Sequence, residues 1–209
     1  MFSSRLEAGR LLAQKLVLEK INKAILLAIP RGGVVVGSSI NQELSWPLLV
    51  VITKKLSAPQ NEELAIGAVG EDGSSVFLNE ELIDQLNIDQ GYLNQEIDLR
   101  VAQVKRRKKF FSSWPWPSLV NKKVVIVDDG VATGATIIAA IRQVKKENPD
   151  EVIVAVPVIS SAALEKIKKE ADRVIYLKAP KLFFSVSQFY ENFDQVSNEE
   201  VKRILAVRE

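Results

Sequence analysis

The apolar and polar positions of the chain alternate between short, wholly apolar runs and longer amphipathic stretches. Ser4 and Glu7 stand at capping-box spacing and Leu6, Leu11, Leu12 and Leu16 recur near helical period, which predicts an opening amphipathic helix. "AILLAI" (24–29) is fully apolar and stops at Pro30, as a parallel strand covered on both faces would. "RGGVVVGSSINQEL" then reads as a turn and a helix, and "LLVVIT" (48–53) as the next strand, which completes a β-α-β unit. The following stretch, "KKLSAPQNEELAIGAVGEDGSSVFLN", carries two short apolar pieces, 65–69 and 76–78, around "GEDGSS", the pattern of a hairpin on a long excursion. Residues 80–110 are polar and helix-prone. Past the Pro-broken "SSWPWPSL" the alternation resumes, with strand 123–127, a helix from about 134, strand 151–158, a helix near 161–170 and strand 173–177. Strands alternating with helices predict an α/β fold: a doubly wound, mostly parallel sheet with helices on both faces.

Composition narrows the chemistry more than the fold. At 209 residues, 47% hydrophobic and 26% charged, the chain suits a single domain over 1–209, with an insertion at about 54–79 and a helical segment at about 80–110. Its 28 basic and 26 acidic residues leave a net charge of +2, so any nucleic-acid or membrane electrostatics would have to be local. There is no cysteine and no histidine. Disulfides, thiolate and Ser-His-Asp catalysis, Cys-bound zinc and imidazole metal sites are therefore excluded, which leaves oxygen ligands and a hard cation such as Mg²⁺. No apolar run approaches the ~20 residues of a membrane span, so a soluble, cytoplasmic protein is expected.

In "VVIVDDGVATGATI" (124–137) a buried strand ends in two adjacent carboxylates. Ligands of parallel sheets bind at the carboxyl ends of strands, which places Asp128 and Asp129 where a site belongs. Val131, Ala132, Thr133, Gly134, Ala135 and Thr136 lead directly into a helix, offering backbone N–H groups, a positive dipole end and two hydroxyls to a phosphate. The carboxylates suit a sugar's vicinal hydroxyls or a hydrated Mg²⁺. Together these features describe a ribose 5-phosphate site. An isolated Asp-Asp pair would more simply be a helix cap with a solvated neighbour, but the series of strand, acid pair, glycine loop and helix is less well explained that way. Neither G-x-x-x-x-G-K-[ST] nor G-x-G-x-x-G occurs.

"VVIVDDGVATGAT" resembles the phosphoribosyl-diphosphate motif of type I phosphoribosyltransferases. The wider chain is similar to a branch of stand-alone members through "RLEAGRLLAQKL", "LAIPRGGVVVG", "KKLSAPQNEELAIGAVGEDG", "VAVPV" and "LFFSVSQFYENFDQV". The resemblance implies a parallel sheet with a mobile lid over the site and a small hood of terminal segments, about 179–209 at the C-terminus, that holds the acceptor. It also implies transfer of a 5-phosphoribosyl group from phosphoribosyl diphosphate to a nitrogen acceptor, with Mg²⁺ as cofactor and pyrophosphate as the product. A homo-oligomer is expected.

"PRGG" repeats the logic of a strand end, two glycines and a helix, so Arg31, Gly32 and Gly33 can bind a diphosphate. A tight turn with a surface Arg fits this motif alone equally well. In the family the corresponding loop grips pyrophosphate and often carries a cis bond between non-proline residues, here between Pro30 and Arg31. Lys54 and Lys55, read as ending the second strand, are further candidates to act on the leaving group, singly or together, and Asp128 and Asp129 to hold the metal through water. Glu62 and Glu63 match an acidic lid position.

The family members that use 6-oxopurines place an Asp before the Thr-Gly pair, where this chain has Ala132, so hypoxanthine and guanine are expected to be poor acceptors. "KRRKKFF" (105–111), near Trp114 and Trp116, raises an RNA-binding or ligand-sensing alternative, but a helix with one basic face and inward aromatics is the preferred reading. Phe183, Phe184, Phe189, Tyr190 and Phe193 fall in the implied hood.

Overall fold

The computed structural model describes residues 1–111 and 116–206, with Glu63 described by its backbone alone. In chain order the elements are α1 (Arg5–Leu18), β1 (Ile25–Ala28), α2 (Gly32–Leu44), β2 (Leu48–Val50), β3 (Lys54–Ala58), β4 (Asn61–Val69) and β5 (Val76–Leu78). They continue with α3 (Glu80–Gln85), α4 (Gln90–Phe111), β6 (Lys123–Val127), α5 (Ala135–Lys145), β7 (Glu151–Val158), α6 (Ser161–Ile167), β8 (Arg173–Lys178) and α7 (Asn198–Ala206).

Five strands form a parallel sheet in the order β2-β1-β6-β7-β8. Their residues are apolar on both faces because both faces are covered. Leu26, Ala28, Val125, Val127 and Ile153 join a core with α1, α2 and α7, while Leu27, Val124, Ile126, Val152 and Val154 join another with α5 and α6. From β1 the chain winds one way to β2, and from β6 it winds the other way to β7 and β8. The carboxyl ends of β1 and β6 therefore flank a topological switch point, where a crevice opens. The PRGG and Asp-Asp loops emerge side by side there.

Two readings of the pattern need correction. The run 48–53 forms sheet only over Leu48–Val50, and Lys54 and Lys55 open β3 rather than end the second strand. Val51, Ile52 and Thr53 are buried while linking the sheets, so an unbroken apolar run could not show where pairing stops. In α1 the buried face is Ala8, Gly9, Leu12, Ala13 and Leu16, with Leu6 and Leu11 47% and 39% exposed. Small residues lie there because α1 packs along α2, where the Ser39 hydroxyl donates to the Leu6 carbonyl at 2.8 Å. The predicted cap at Ser4 is present, accepting from the Glu7 N–H.

The excursion is an antiparallel sheet, β3-β4-β5, packed on α4 and α5. Its "GEDGSS" turn is fastened to α5: Lys146 pairs with Asp72, the Glu71 N–H donates to the Gln143 side chain, and Arg142 donates to the Val76 carbonyl. The N-terminal segment meets residues 189–191, which lie ahead of α7. Phe2 bridges Tyr190 in parallel, its N–H donating to the Phe189 carbonyl at 2.8 Å and its own carbonyl accepting from the Glu191 N–H at 2.8 Å. Phe2, Tyr190, Phe183, Phe189 and Phe193 form one aromatic cluster, whereas Phe184 is 86% exposed. No helix among the described residues is long and apolar enough to cross a membrane.

Candidate active site

A cavity of about 430 Å³ opens at the switch point. Its wall includes Pro30, Lys54, Lys55, Asp128, Thr133 and Thr136, which are drawn from the ends of β1 and β6, the start of β3 and the first turn of α5. Val131, Ala132, Gly134 and Glu62 also line it. Sequence reading thus placed most of its candidates in one concavity.

The open start of α5 follows from a single backbone angle. Gly134 caps α5 at φ 86°, a left-handed conformation that glycine adopts without steric cost, and it offers no side chain to the helix end. The first N–H groups of α5 are thus left uncapped, with the dipole's positive end beside Thr133 and Thr136. Val131 anchors the loop to β7, its N–H donating to the Val158 carbonyl at 2.9 Å, and the Ser160 hydroxyl donates to the Ala132 carbonyl at 2.6 Å.

The adjacent carboxylates have different surroundings. Asp128 lines the cavity, and its Oδ1 accepts the Asp129 N–H at 2.8 Å. Burial, and next the neighbouring Asp129 charge, hold its carboxyl well above the ordinary range. Asp129 is absent from the cavity wall and instead accepts from Arg5 Nε at 2.7 Å. It lies against the start of α2, where a Cβ on Gly32 would fall 1.8 Å from its Oδ2, so only glycine allows the two loops to approach. The Tyr190 hydroxyl donates to the Asp129 carbonyl oxygen at 2.6 Å. Burial, then the Asp129 charge, pushes that phenol's pKa up.

Arg31, Gly32, Gly33 and Ala135 are not among the cavity-lining residues. Arg31 precedes the uncapped N-terminus of α2, and the Pro30–Arg31 peptide is cis, where the resemblance placed such a bond. Lys54 is pulled below its ordinary pKa by burial and then by Arg107 and Arg100. Arg107 is lowered in turn by burial and by Arg31. Arg100 and Arg5 escaped as site candidates, because each is a lone residue far from either motif, while Arg107 was read only as part of the basic run and Tyr190 only as an aromatic of the implied hood. Only the helical spacing of Arg100 and Arg107, seven apart, offered a signal.

The basic run does not form a single solvated face. Lys108 pairs with Glu71, Lys202 lies 3.7 Å above the Phe110 ring, Phe111 is buried, and Arg107 is half-buried with its guanidinium 5.5 Å from the Phe111 ring centroid. Trp114 and the Glu63 side chain lie outside the described residues.

A parallel sheet whose switch point carries an uncapped helix start and a cavity-lining carboxylate has the ligand-site layout of open α/β sheets. A family model described as a phosphoribosyl transferase domain matches residues 4–194. TT1426 from Thermus thermophilus superposes with a TM-score of 0.81 at 39% identity, covering 98% of this chain and 97% of that one. A Mycobacterium tuberculosis H37Rv protein provisionally named as a phosphoribosyl transferase is 37% identical over 206 residues, 98% of this chain and 46% of its own. The chain thus spans about half the length of the curated relatives it matches. A Neisseria gonorrhoeae protein with bound ppGpp shares the fold at a TM-score of 0.53 and 15% identity, covering 99% of this chain and 97% of that one. The chain belongs to the phosphoribosyltransferase family, and its fold is the type I fold that its sequence resembles.

Proposed function

We propose that this chain transfers the 5-phosphoribosyl group of phosphoribosyl diphosphate to a nitrogen acceptor and releases pyrophosphate. The observation that carries this reading is the shared cavity of Asp128, the open start of α5 and the Lys54-Lys55 pair. The bond from the anomeric carbon to the diphosphate breaks as the bond to the acceptor nitrogen forms, so positive charge grows on the ribose and negative charge on the leaving group. The α5 N–H groups, Thr133 and Thr136 hold the 5-phosphate, and Asp128 accepts from the ribose hydroxyls. Lys54, Lys55 and Arg31 supply positive charge to the departing diphosphate. The β3–β4 hairpin, with Glu62 at the cavity, serves as the lid that keeps water from the activated sugar.

Among the described residues no three carboxylates gather as a protein cage for a metal. The cavity carboxylates fit Mg²⁺ nevertheless, because that ion keeps several waters and binds through one or two carboxylates plus substrate phosphates. Asp128 would hold it through water, with Asp129 adding charge from behind. Bound there, the ion would neutralise the leaving diphosphate.

The test is a panel of nitrogenous bases and amines assayed for pyrophosphate release with saturating donor and Mg²⁺. Turnover is expected with at least one acceptor, and hypoxanthine and guanine are expected to be poor because of Ala132. Tight donor binding with no release from any acceptor would overturn the reading in favour of a sensor of the same sugar phosphate.

A further inference from the structure

One wall of the cavity comes from α4, through Arg100. Its guanidinium is fixed on three sides: Nε donates to Glu96 at 2.8 Å, Nη2 to the Ser57 hydroxyl at 3.2 Å and Nη1 to Gln103 at 3.3 Å. Glu96 is only 7% exposed, and the same oxygen that holds Arg100 accepts the Ser57 N–H at 2.8 Å. The Tyr92 hydroxyl donates to the Ser57 carbonyl at 2.9 Å, so α4 and β3 are clamped around this pair. A buried ion pair is a weak source of stability, because desolvation offsets most of the attraction. What the arrangement supplies is aim. Of the five guanidinium N–H groups three are engaged, which leaves one on each terminal nitrogen, the fork that meets two phosphate oxygens.

The surroundings call for an anion of several charges. Lys54 and Lys55 line the same cavity, and Arg107 stands two turns along α4 from Arg100, on the same side of the helix. Among the described residues, Arg31, Lys54, Lys55 and Arg107 have no carboxylate within ion-pair distance. Among the described residues the cavity wall itself offers them only Asp128 and Glu62. Mutual burial of cations already lowers the pKa of Lys54 and Arg107. On the transferase reading the start of α5 takes one phosphate, so the positive charge of Lys54, Lys55 and Arg100 in the same cavity is in excess of what that monophosphate needs.

We propose that Arg100, aimed by Glu96 and Ser57, is a further substrate-contacting residue that binds the diphosphate of the donor and the pyrophosphate product. Helix α4 thereby becomes part of the leaving-group site, with Arg107 adding to its field. The inference rests on the transferase reading of the cavity, and its test separates the two. Calorimetry would measure binding of inorganic pyrophosphate with Mg²⁺, and of orthophosphate as a probe of the start of α5, to the full chain. Arg100→Gln is expected to weaken pyrophosphate at least tenfold while leaving orthophosphate unchanged, and Arg100→Lys to recover only part of the loss. Because Arg100→Gln strands the Glu96 charge, the double variant Glu96→Gln with Arg100→Gln is measured beside it and is expected to show the same loss. Wild-type pyrophosphate affinity in either variant would overturn the role of Arg100 and leave the transferase reading standing. A wild-type chain that does not bind pyrophosphate would overturn both.

Discussion

At Asp128 the site holds a carboxylate where the fold would be more comfortable with a neutral group. Its pKa is raised by burial and by Asp129, so the folded chain binds this proton more tightly than the unfolded chain. Stability from this residue is therefore undiminished below the unfolded value of about 4 and falls as pH rises toward the folded value. Asp128→Asn keeps an oxygen to accept the Asp129 N–H and removes the charge. The variant is expected to be more stable than wild type by about 1 kcal/mol at pH 7, with the difference closing toward pH ~4, while Mg²⁺-dependent donor binding is lost. Urea denaturation across that pH range checks the sign, and a destabilised variant at pH 7 would reject it. Asp128, Thr133 and Gly134 were legible in the sequence because the strand, turn and helix they belong to are consecutive. Arg5 was not, since it reaches Asp129 from 124 positions away and nothing local distinguishes it from any other basic residue of an opening helix.

Among the elements, the parallel strands were readable for a physical reason: a strand covered on both faces has no polar register, so it is written as a continuous apolar run. The same property hid the end of β2, because residues 51–53 stay buried after leaving the sheet. β3 escaped as well. "KKLSA" buries Leu56 against α4 but carries charge at its start and a serine whose backbone is held by Glu96 and Tyr92. The far turn of the excursion was expected to move as part of a lid, yet Asp72 there is tied to Lys146 and to Ser74 and Ser75. Burial alone would raise the Asp72 pKa, but the Lys146 ammonium and the serine donors outweigh it and hold it well below the carboxylate range. On the proposed reading, the closing part of the lid is then the turn between β3 and β4, at Pro59 and Gln60. Hydrogen exchange with and without donor and Mg²⁺ is expected to show added protection at residues 58–62 and little change at 70–75. Equal protection of both turns would mean that the whole sheet moves as one lid.

At the scale of the whole molecule, Arg5 connects parts of the chain that share no sequence neighbourhood. It pairs with Asp129 at the end of β6, donates to the Asp194 carbonyl at 2.8 Å and lies 3.7 Å from the Phe193 ring centroid, while α1 carries it against α2. Both members of the ion pair are largely buried, at 11% and 15% side-chain exposure. Removing one partner strands the other charge, an effect larger than the pair's own net contribution. Arg5→Ala is therefore expected to cost about 3 kcal/mol, or a melting temperature lower by roughly 6–12 °C for a chain of this size. The loss should spread along the terminal cluster, with faster exchange at Phe189, Tyr190 and Glu191, whose backbone joins Phe2. Adding Asp129→Ala removes the stranded carboxylate, so the double variant should regain at least about 1 kcal/mol over Arg5→Ala alone. If the two substitutions simply add, Arg5 stabilises the terminal cover by its contact with Phe193 and the tail, and the link from the phosphoribosyl motif to that cover does not run through charge.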